Sequence, residues 1–356
     1  MKRLLLLISL LSIGLFANEN VDKALAYIKQ KEFKQARILL EQESKKGDLE
    51  AQSTLGSIYA IGLGVKQDYE KAIELYKKSA NQGFSEAQYN LAIMYNKGKG
   101  VKQDSKKAIE LYKKSADQGF KEAQNNLGRM YYDGLGVKQD YKKAIELYSK
   151  SAYQGDAKAQ NNLGTMYANG QGVKQDYKKA IELYKKSSNQ GFAEAKYNLG
   201  VMYDKGRGVK QDFKKSKEFY QKSADQGYAK AQYNLGYMYA NGQGVKQDYK
   251  KAIELYKKSA DQGLAQAQYN LGVMYDKGRG VKQDYKKAIE LYKKSADQGY
   301  AEAQYSLGII YYKGQSVKQD YKKAVEFWQK SADQGYTKAQ DNLNIFCKKY
   351  SEICTR

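Results

Sequence analysis

The sequence contains no histidine and no proline, and its two cysteines both lie within the last ten residues. Without histidine, the chain has no imidazole general base, no Ser-His-Asp triad and no histidine-ligated zinc site. Two thiols are too few for an all-cysteine zinc site or an iron–sulfur cluster, and the lack of proline argues against a polyproline linker. The sequence therefore predicts no metal and no cofactor, and no catalytic residues stand out.

The N-terminus has the pattern of a targeting segment. Met1, Lys2 and Arg3 form a short basic start, and an apolar run follows from Leu4 to Phe16. Thirteen helical residues span about 20 Å, which is shorter than a bilayer core of about 30 Å. We therefore predict a signal peptide over residues 1–17 and a periplasmic or secreted mature protein without a transmembrane segment. The alternative is an uncleaved N-terminal anchor.

The rest of the chain repeats itself with a period of 36 residues, a length typical of helical solenoids. In one copy, Ala87, Leu91, Met94 and Tyr95 share one face of a first helix. A glycine-rich turn follows, and an aspartate then stands where a second helix should begin. These predicted N-caps are Asp68, Asp104, Asp140, Asp176, Asp212, Asp248, Asp284 and Asp320.

The repeated text AQYNLGxMYxxGxGVKQDYKKAIELYKKSADQG resembles the Sel1-like repeat, a relative of the tetratricopeptide repeat. Lys102 stands where that family often has proline. The resemblance implies an all-α fold, a right-handed superhelical α-solenoid. We expect a tetratricopeptide-like capping hairpin over residues 18–47, eight repeats over 48–335, and a capping helix and tail over 336–356.

The first helix of each copy also has a face that varies between copies, whereas the packed face hardly changes. In tetratricopeptide-like solenoids this helix lines the concave surface, where partners bind. The resemblance therefore implies an exported scaffold or adaptor that binds a protein or peptide; drift on an unconstrained surface is the alternative. The candidate partner-binding residues are Tyr197, Val201, Tyr233, Tyr237, Tyr269, Val273, Tyr305 and Ile309. The repeated asparagines beside them are expected to hydrogen-bond buried backbone groups: Asn90, Asn126, Asn162, Asn198, Asn234 and Asn270.

Positive charge is spread over the repeats. The net charge of the chain is +23, and the single copy 264–299 has seven basic and four acidic side chains. Stacked copies would align their lysines into ribbons, which are either a solvated surface or a site for anionic envelope surfaces. We count the second reading as another alternative function. The export signal argues against nucleic acid as a partner.

Cys347 and Cys354 are seven residues apart. In one unbroken helix their Cα atoms would be about 10.5 Å apart, beyond the reach of a disulfide, whereas a turn near residues 349–351 would bring them together. In an oxidising compartment we predict a disulfide. The pair resembles the cysteine-rich Sel1-like proteins of Helicobacter-type bacteria, some of which bind or hydrolyse β-lactams. This runner-up function lacks its motifs, because the chain has no Ser-x-x-Lys, Lys-Thr-Gly or Ser-Asp-Asn.

Overall fold

The computed structural model describes residues 18–354, which form twenty α-helices and no strand. The predicted signal peptide and residues 355–356 lie outside this described part. The contact pattern divides the chain into two units, one ending at Ser187 and the other beginning at Ser188.

The first unit begins with a helical hairpin and continues as helix pairs. We call the first helix of each repeat the A helix and the second the B helix. The hairpin is α1 (Glu19–Gln30) and α2 (Phe33–Lys45). The A and B helices then alternate as α3 (Leu49–Ile61), α4 (Tyr69–Asn81), α5 (Ser85–Lys97), α6 (Ser105–Asp117), α7 (Lys121–Asp133), α8 (Tyr141–Tyr153) and α9 (Ala157–Asn169). Helix α10 (Tyr177–Asn189) contains the residue at which the first unit ends.

The second unit has the same alternation. Its helices are α11 (Ala193–Lys205), α12 (Phe213–Ala224), α13 (Ala229–Asn241), α14 (Tyr249–Asp261), α15 (Ala265–Lys277), α16 (Tyr285–Ala296), α17 (Ala301–Lys313) and α18 (Tyr321–Ala332). The unit ends with α19 (Thr337–Lys349) and the short α20 (Ser351–Cys354). The predicted all-α solenoid of tandem helix pairs is therefore confirmed.

The aspartates predicted as N-caps hold the start of every B helix. Asp248 Oδ1, for example, accepts a hydrogen bond of 3.0 Å from the backbone N–H of Lys251. The same bond recurs at all eight predicted positions. Each cap satisfies one of the donors that a helix N-terminus leaves unpaired.

A glycine in the A helix lets a large aromatic side chain of the B helix approach closely. A Cβ atom on Gly272 would come within 2.8 Å of Cε1 of Tyr292, which is closer than real side chains pack. Tyr292 is only 2% exposed. A serine one turn further along the B helix adds a hydrogen bond between the two helices: Ser295 Oγ donates to the carbonyl of Ala265 over 2.8 Å. These contacts fix the two helices of a repeat against each other.

Candidate functional site

Four of the predicted partner-binding tyrosines occupy the same position of successive A helices in the second unit. They are half-buried: Tyr197, Tyr233, Tyr269 and Tyr305. The ring of Tyr269 lies 5.6 Å from that of Tyr292 and 5.4 Å from that of Tyr300. Such tilted pairs contribute to stability beyond the area that they bury. These tyrosines therefore form the floor of the A-helix face and are held by neighbouring rings.

Among the repeated asparagines, Asn126 and Asn270 donate to tyrosine hydroxyls and Asn162 donates to Asn125 Oδ1, in place of the backbone groups expected from the sequence. Asn270 Nδ2 lies 3.4 Å from Tyr233 Oη and 3.5 Å from Tyr256 Oη. Burial raises the pKa of both Tyr233 and Tyr256, so both phenols are protonated at neutral pH. The asparagine thus links the floor tyrosine of one repeat to the A helix of the next.

A second column of the A-helix face, one turn further along, carries apolar side chains. Val201, Val273 and Ile309 are half-buried, while Tyr237 is 46% exposed. Ile345 continues the column in α19 and is 71% exposed. Sequence reasoning missed Ile345 although it lies 36 residues after Ile309. We define the apolar column as these five residues.

The floor position of the first unit is mostly polar. Its counterparts of the floor tyrosines are Ser53, Tyr89, Asn125 and Asn161, all of which are buried. Glu50, Glu86 and Glu122 begin its A helices at equivalent positions. A run of four successive floor tyrosines is therefore a property of the second unit, whereas the first unit has one, Tyr89.

One column of the predicted lysine ribbons packs against aromatic rings. The Lys251 and Lys287 ammonium groups lie 4.8 and 4.7 Å from the ring centroids of Tyr239 and Tyr275 in their own repeats. Lys250 and Lys286, the preceding residues, are exposed. An ammonium over an aromatic face is a stabilising contact. The column of Lys251 and Lys287 has this contact with a ring, and we assign none to the column of Lys250 and Lys286.

The C-terminal cysteines lie close together because the chain turns at Tyr350 between α19 and α20. Their Cα atoms are 5.6 Å apart, a separation that a disulfide can span. Both side chains are half-buried and lie against the core formed by Trp328, Leu343 and Phe346.

Two further properties concern residues 18–354. No helix there combines the length and the apolar composition needed to span a bilayer. In the same range, no group of three Cys, Asp or Glu side chains is placed to hold a metal ion.

A Sel1 repeat family model matches eight consecutive segments of the chain: residues 49–84, 85–120, 121–156, 157–192, 193–228, 229–264, 265–300 and 301–336. These segments span well over half of the sequence, and the chain belongs to the Sel1 repeat family.

The solved structures similar to this chain include two that are more than 30% identical to it. A protective antigen of uropathogenic Escherichia coli strains, which displays an SLR fold, is 37% identical with a TM-score of 0.68; the match covers 88% of this chain and 67% of that one. A Sel1 repeat protein from Oxalobacter formigenes is 34% identical with a TM-score of 0.64, over 70% of this chain and 100% of that one. Among curated protein sequences, none matches the chain. The narrower resemblance to the Helicobacter-type proteins stays a prediction.

Proposed function

We propose that this Sel1 repeat protein is exported and binds a protein or peptide through the A-helix face of its second unit. The exposed ring of Tyr237 carries the proposal. Tyr237 belongs to the apolar column, and the residues on either side of it in that column, Val201 and Val273, are aliphatic and half-buried. Aromatic and aliphatic side chains with few charges are the composition of interface cores, and tyrosine is common among the residues that dominate binding energy.

The floor beneath the apolar column supports the same proposal. Tyr233 packs on Tyr256 with ring centroids 5.8 Å apart, and its hydroxyl accepts from Asn270. A surface whose side chains are already ordered loses less conformational entropy when a partner docks. The floor would then present Tyr237 and Val273 in fixed positions.

Photo-crosslinking in living cells tests the proposed surface. The photoreactive amino acid benzoylphenylalanine replaces Tyr237 in one variant and Tyr153 in a matched control. Tyr153 is 95% exposed at the end of a B helix of the first unit and is not part of the proposed surface. We expect a discrete crosslinked product from position 237 and none from position 153. The same products from both positions would contradict the proposal.

The identified partner then allows a direct measurement of affinity. Tyr237→Ser should weaken binding at least about tenfold, since a hot-spot side chain typically contributes about 2 kcal/mol or more. Tyr153→Ser should leave the Kd unchanged. Raising the salt concentration separates this surface from the lysine ribbons, because binding through exposed charges weakens as the Debye length shrinks below about 8 Å. If affinity fell steeply with salt and Tyr237→Ser left the Kd unchanged, the result would favour the anionic-surface alternative.

Export is proposed from the sequence, with cleavage after Ala17. The mature chain would then begin at Asn18, which is the N-cap of α1 and accepts a hydrogen bond of 3.1 Å from the N–H of Asn20. The Escherichia coli relative, described as a protective antigen, also supports a location outside the cytoplasm. Mass spectrometry of the protein from its native host should give an N-terminus at Asn18. An intact Met1 in the membrane fraction would favour the anchor.

The proposal includes a disulfide between Cys347 and Cys354 in the exported protein. The Cα separation of 5.6 Å supports it, as does the oxidising character of the periplasm and cell exterior. Alkylation of the denatured protein should add no label before reduction and two labels after it. Two labels without reductant would contradict the disulfide.

A further inference from the structure

Glu86, near the start of α5, is a buried carboxyl group in a strongly basic protein. The residue is 7% exposed, and no Lys or Arg within residues 18–354 forms an ion pair with it. Taking a carboxylate out of water without a cationic partner is costly, and such groups bind a proton instead. The pKa of Glu86 is accordingly raised to about 8, chiefly by burial.

The groups that face Glu86 reinforce this effect. Glu50 of α3 and Glu122 of α7 repel its charge, and Glu86 in turn raises the pKa of Tyr76 in α4. The side-chain amide of Asn90, one turn further along α5, favours the ionised carboxyl. Burial also raises the pKa of Glu50 and of Glu122. Lys121 and Lys158 oppose the shift at Glu122 alone.

The repeat register sets Glu86 after a different floor residue from its counterpart Glu122. Tyr89, in the same helix as Glu86, fills the floor position and faces Glu122. Ser53 stands at the equivalent position before Glu86. Ser53 is fully buried, and its Oγ has no hydrogen-bond partner among the described residues. Helices α3 and α5 are in contact, and each contains a buried polar side chain.

We propose that Glu86 makes the contact between α3 and α5 a pH-sensitive element: the contact is tight in mildly acidic solution, where the carboxyl is protonated, and it loosens as the carboxyl ionises. The folded protein retains this proton to a higher pH than the unfolded chain, in which glutamate titrates near about 4.3. Between these two pKa values, each pH unit upward therefore favours local opening by up to about tenfold. Helical repeat arrays open locally because each repeat contacts only its neighbours.

Hydrogen exchange of the mature full-length protein at pH 5, 6, 7 and 8 tests this proposal, with rates corrected for the intrinsic pH dependence of amide exchange. The chain contains its own reference, because Gln266 occupies the position of Glu86 in α15. We expect the protection factors of α5 to fall at least about tenfold between pH 5 and pH 7 relative to those of α15. Equal pH dependence of α5 and α15 would overturn the proposal.

The same exchange measurement on a Glu86→Gln variant is the second test, since glutamine mimics the protonated glutamate side chain. Protection of α5 in this variant should be independent of pH over the same range. Glu74→Gln is the matched control, because Glu74 lies on α4, is exposed, and pairs with Lys78 over 2.7 Å. The control should keep the wild-type pH dependence of α5. If α5 of the Glu86→Gln protein kept the wild-type pH dependence of protection, another group would be responsible for it. The proposal would then be wrong.

Discussion

The ammonium nitrogen of Lys287 lies 4.7 Å from the centroid of the Tyr275 ring, and the contact joins the B helix to the A helix of one repeat. The same pair recurs in all eight repeats: Lys71–Tyr59, Lys107–Tyr95, Lys143–Tyr131, Lys179–Tyr167, Lys215–Tyr203, Lys251–Tyr239, Lys287–Tyr275 and Lys323–Tyr311. Repetition of one geometry with the same two residue types indicates a structural contact.

We therefore expect Lys287→Gln to lower the free energy of unfolding by about 0.5–1 kcal/mol, the usual range for an exposed cation–π contact. Lys286→Gln removes the same charge from the exposed neighbour and should change stability by less than about 0.5 kcal/mol. Urea denaturation of both variants measures the difference. Equal losses would mean that net charge, and not the ring contact, sets the effect.

Ser216 should be replaceable by alanine with a gain in stability. Its side chain is fully buried in α12, and its Oγ makes no hydrogen bond within residues 18–354. Every other B helix has alanine at this position. A buried hydroxyl without a partner costs about 1–3 kcal/mol, so Ser216→Ala should raise the thermal midpoint.

Ser223→Ala is the matched control for that experiment, because Ser223 lies on the same helix and is equally buried. Its Oγ donates to the carbonyl of Ala193 over 2.7 Å. Removing this donor should lower the midpoint. If both variants shifted the thermal midpoint in the same direction, the hydrogen-bonding difference assigned to Ser216 and Ser223 would be wrong.

The sequence predicted the helices well because their signals are local and repeated. Asp248 as an N-cap follows from spacing alone, and the structure confirms it. The roles of Asn270 and Lys287 depend on which side chain of another helix lies opposite, which periodicity does not specify. Glu86 was missed for the same reason, since its burial depends on the side chains of the neighbouring helices.

Ser316 should be a strained position. It has a left-handed φ of 57°, whereas the other repeats have glycine there, as at Gly280 with φ 72°. A side chain in this conformation costs on the order of 1 kcal/mol. Ser316→Gly should therefore raise the thermal midpoint, as followed by circular dichroism.

The reciprocal change, Gly280→Ser, should lower the midpoint by more than the first change raises it. A Cβ atom on Gly280 would come within 2.6 Å of the Cβ of Tyr249 in addition to the backbone strain. If Gly280→Ser were neutral, the loop would not be under the constraint that its φ indicates.

The N-terminal hairpin should respond to acid in the opposite sense from α5. Glu43 Oε1 accepts hydrogen bonds of 2.8 Å from Lys46 Nζ and from Asn20 Nδ2, and Oε2 accepts one of 2.9 Å from Asn18 Nδ2. These bonds, with Lys46 as the largest contributor, lower the pKa of Glu43 to about 2. The ionised carboxylate therefore stabilises the fold above its unfolded pKa of about 4.3, and that stability is lost as the pH falls toward 2.

Hydrogen exchange of α1 between pH 6 and pH 3 should show protection falling with acid in the wild-type protein. Glu43→Gln should lower protection at pH 6 and make it nearly independent of pH, because the amide cannot gain the charge-assisted bonds. Glu32→Gln, an exposed change beside the same hairpin, should keep the wild-type profile. If α1 and α5 both lost protection on acidification, the opposite signs assigned to Glu43 and Glu86 would be wrong.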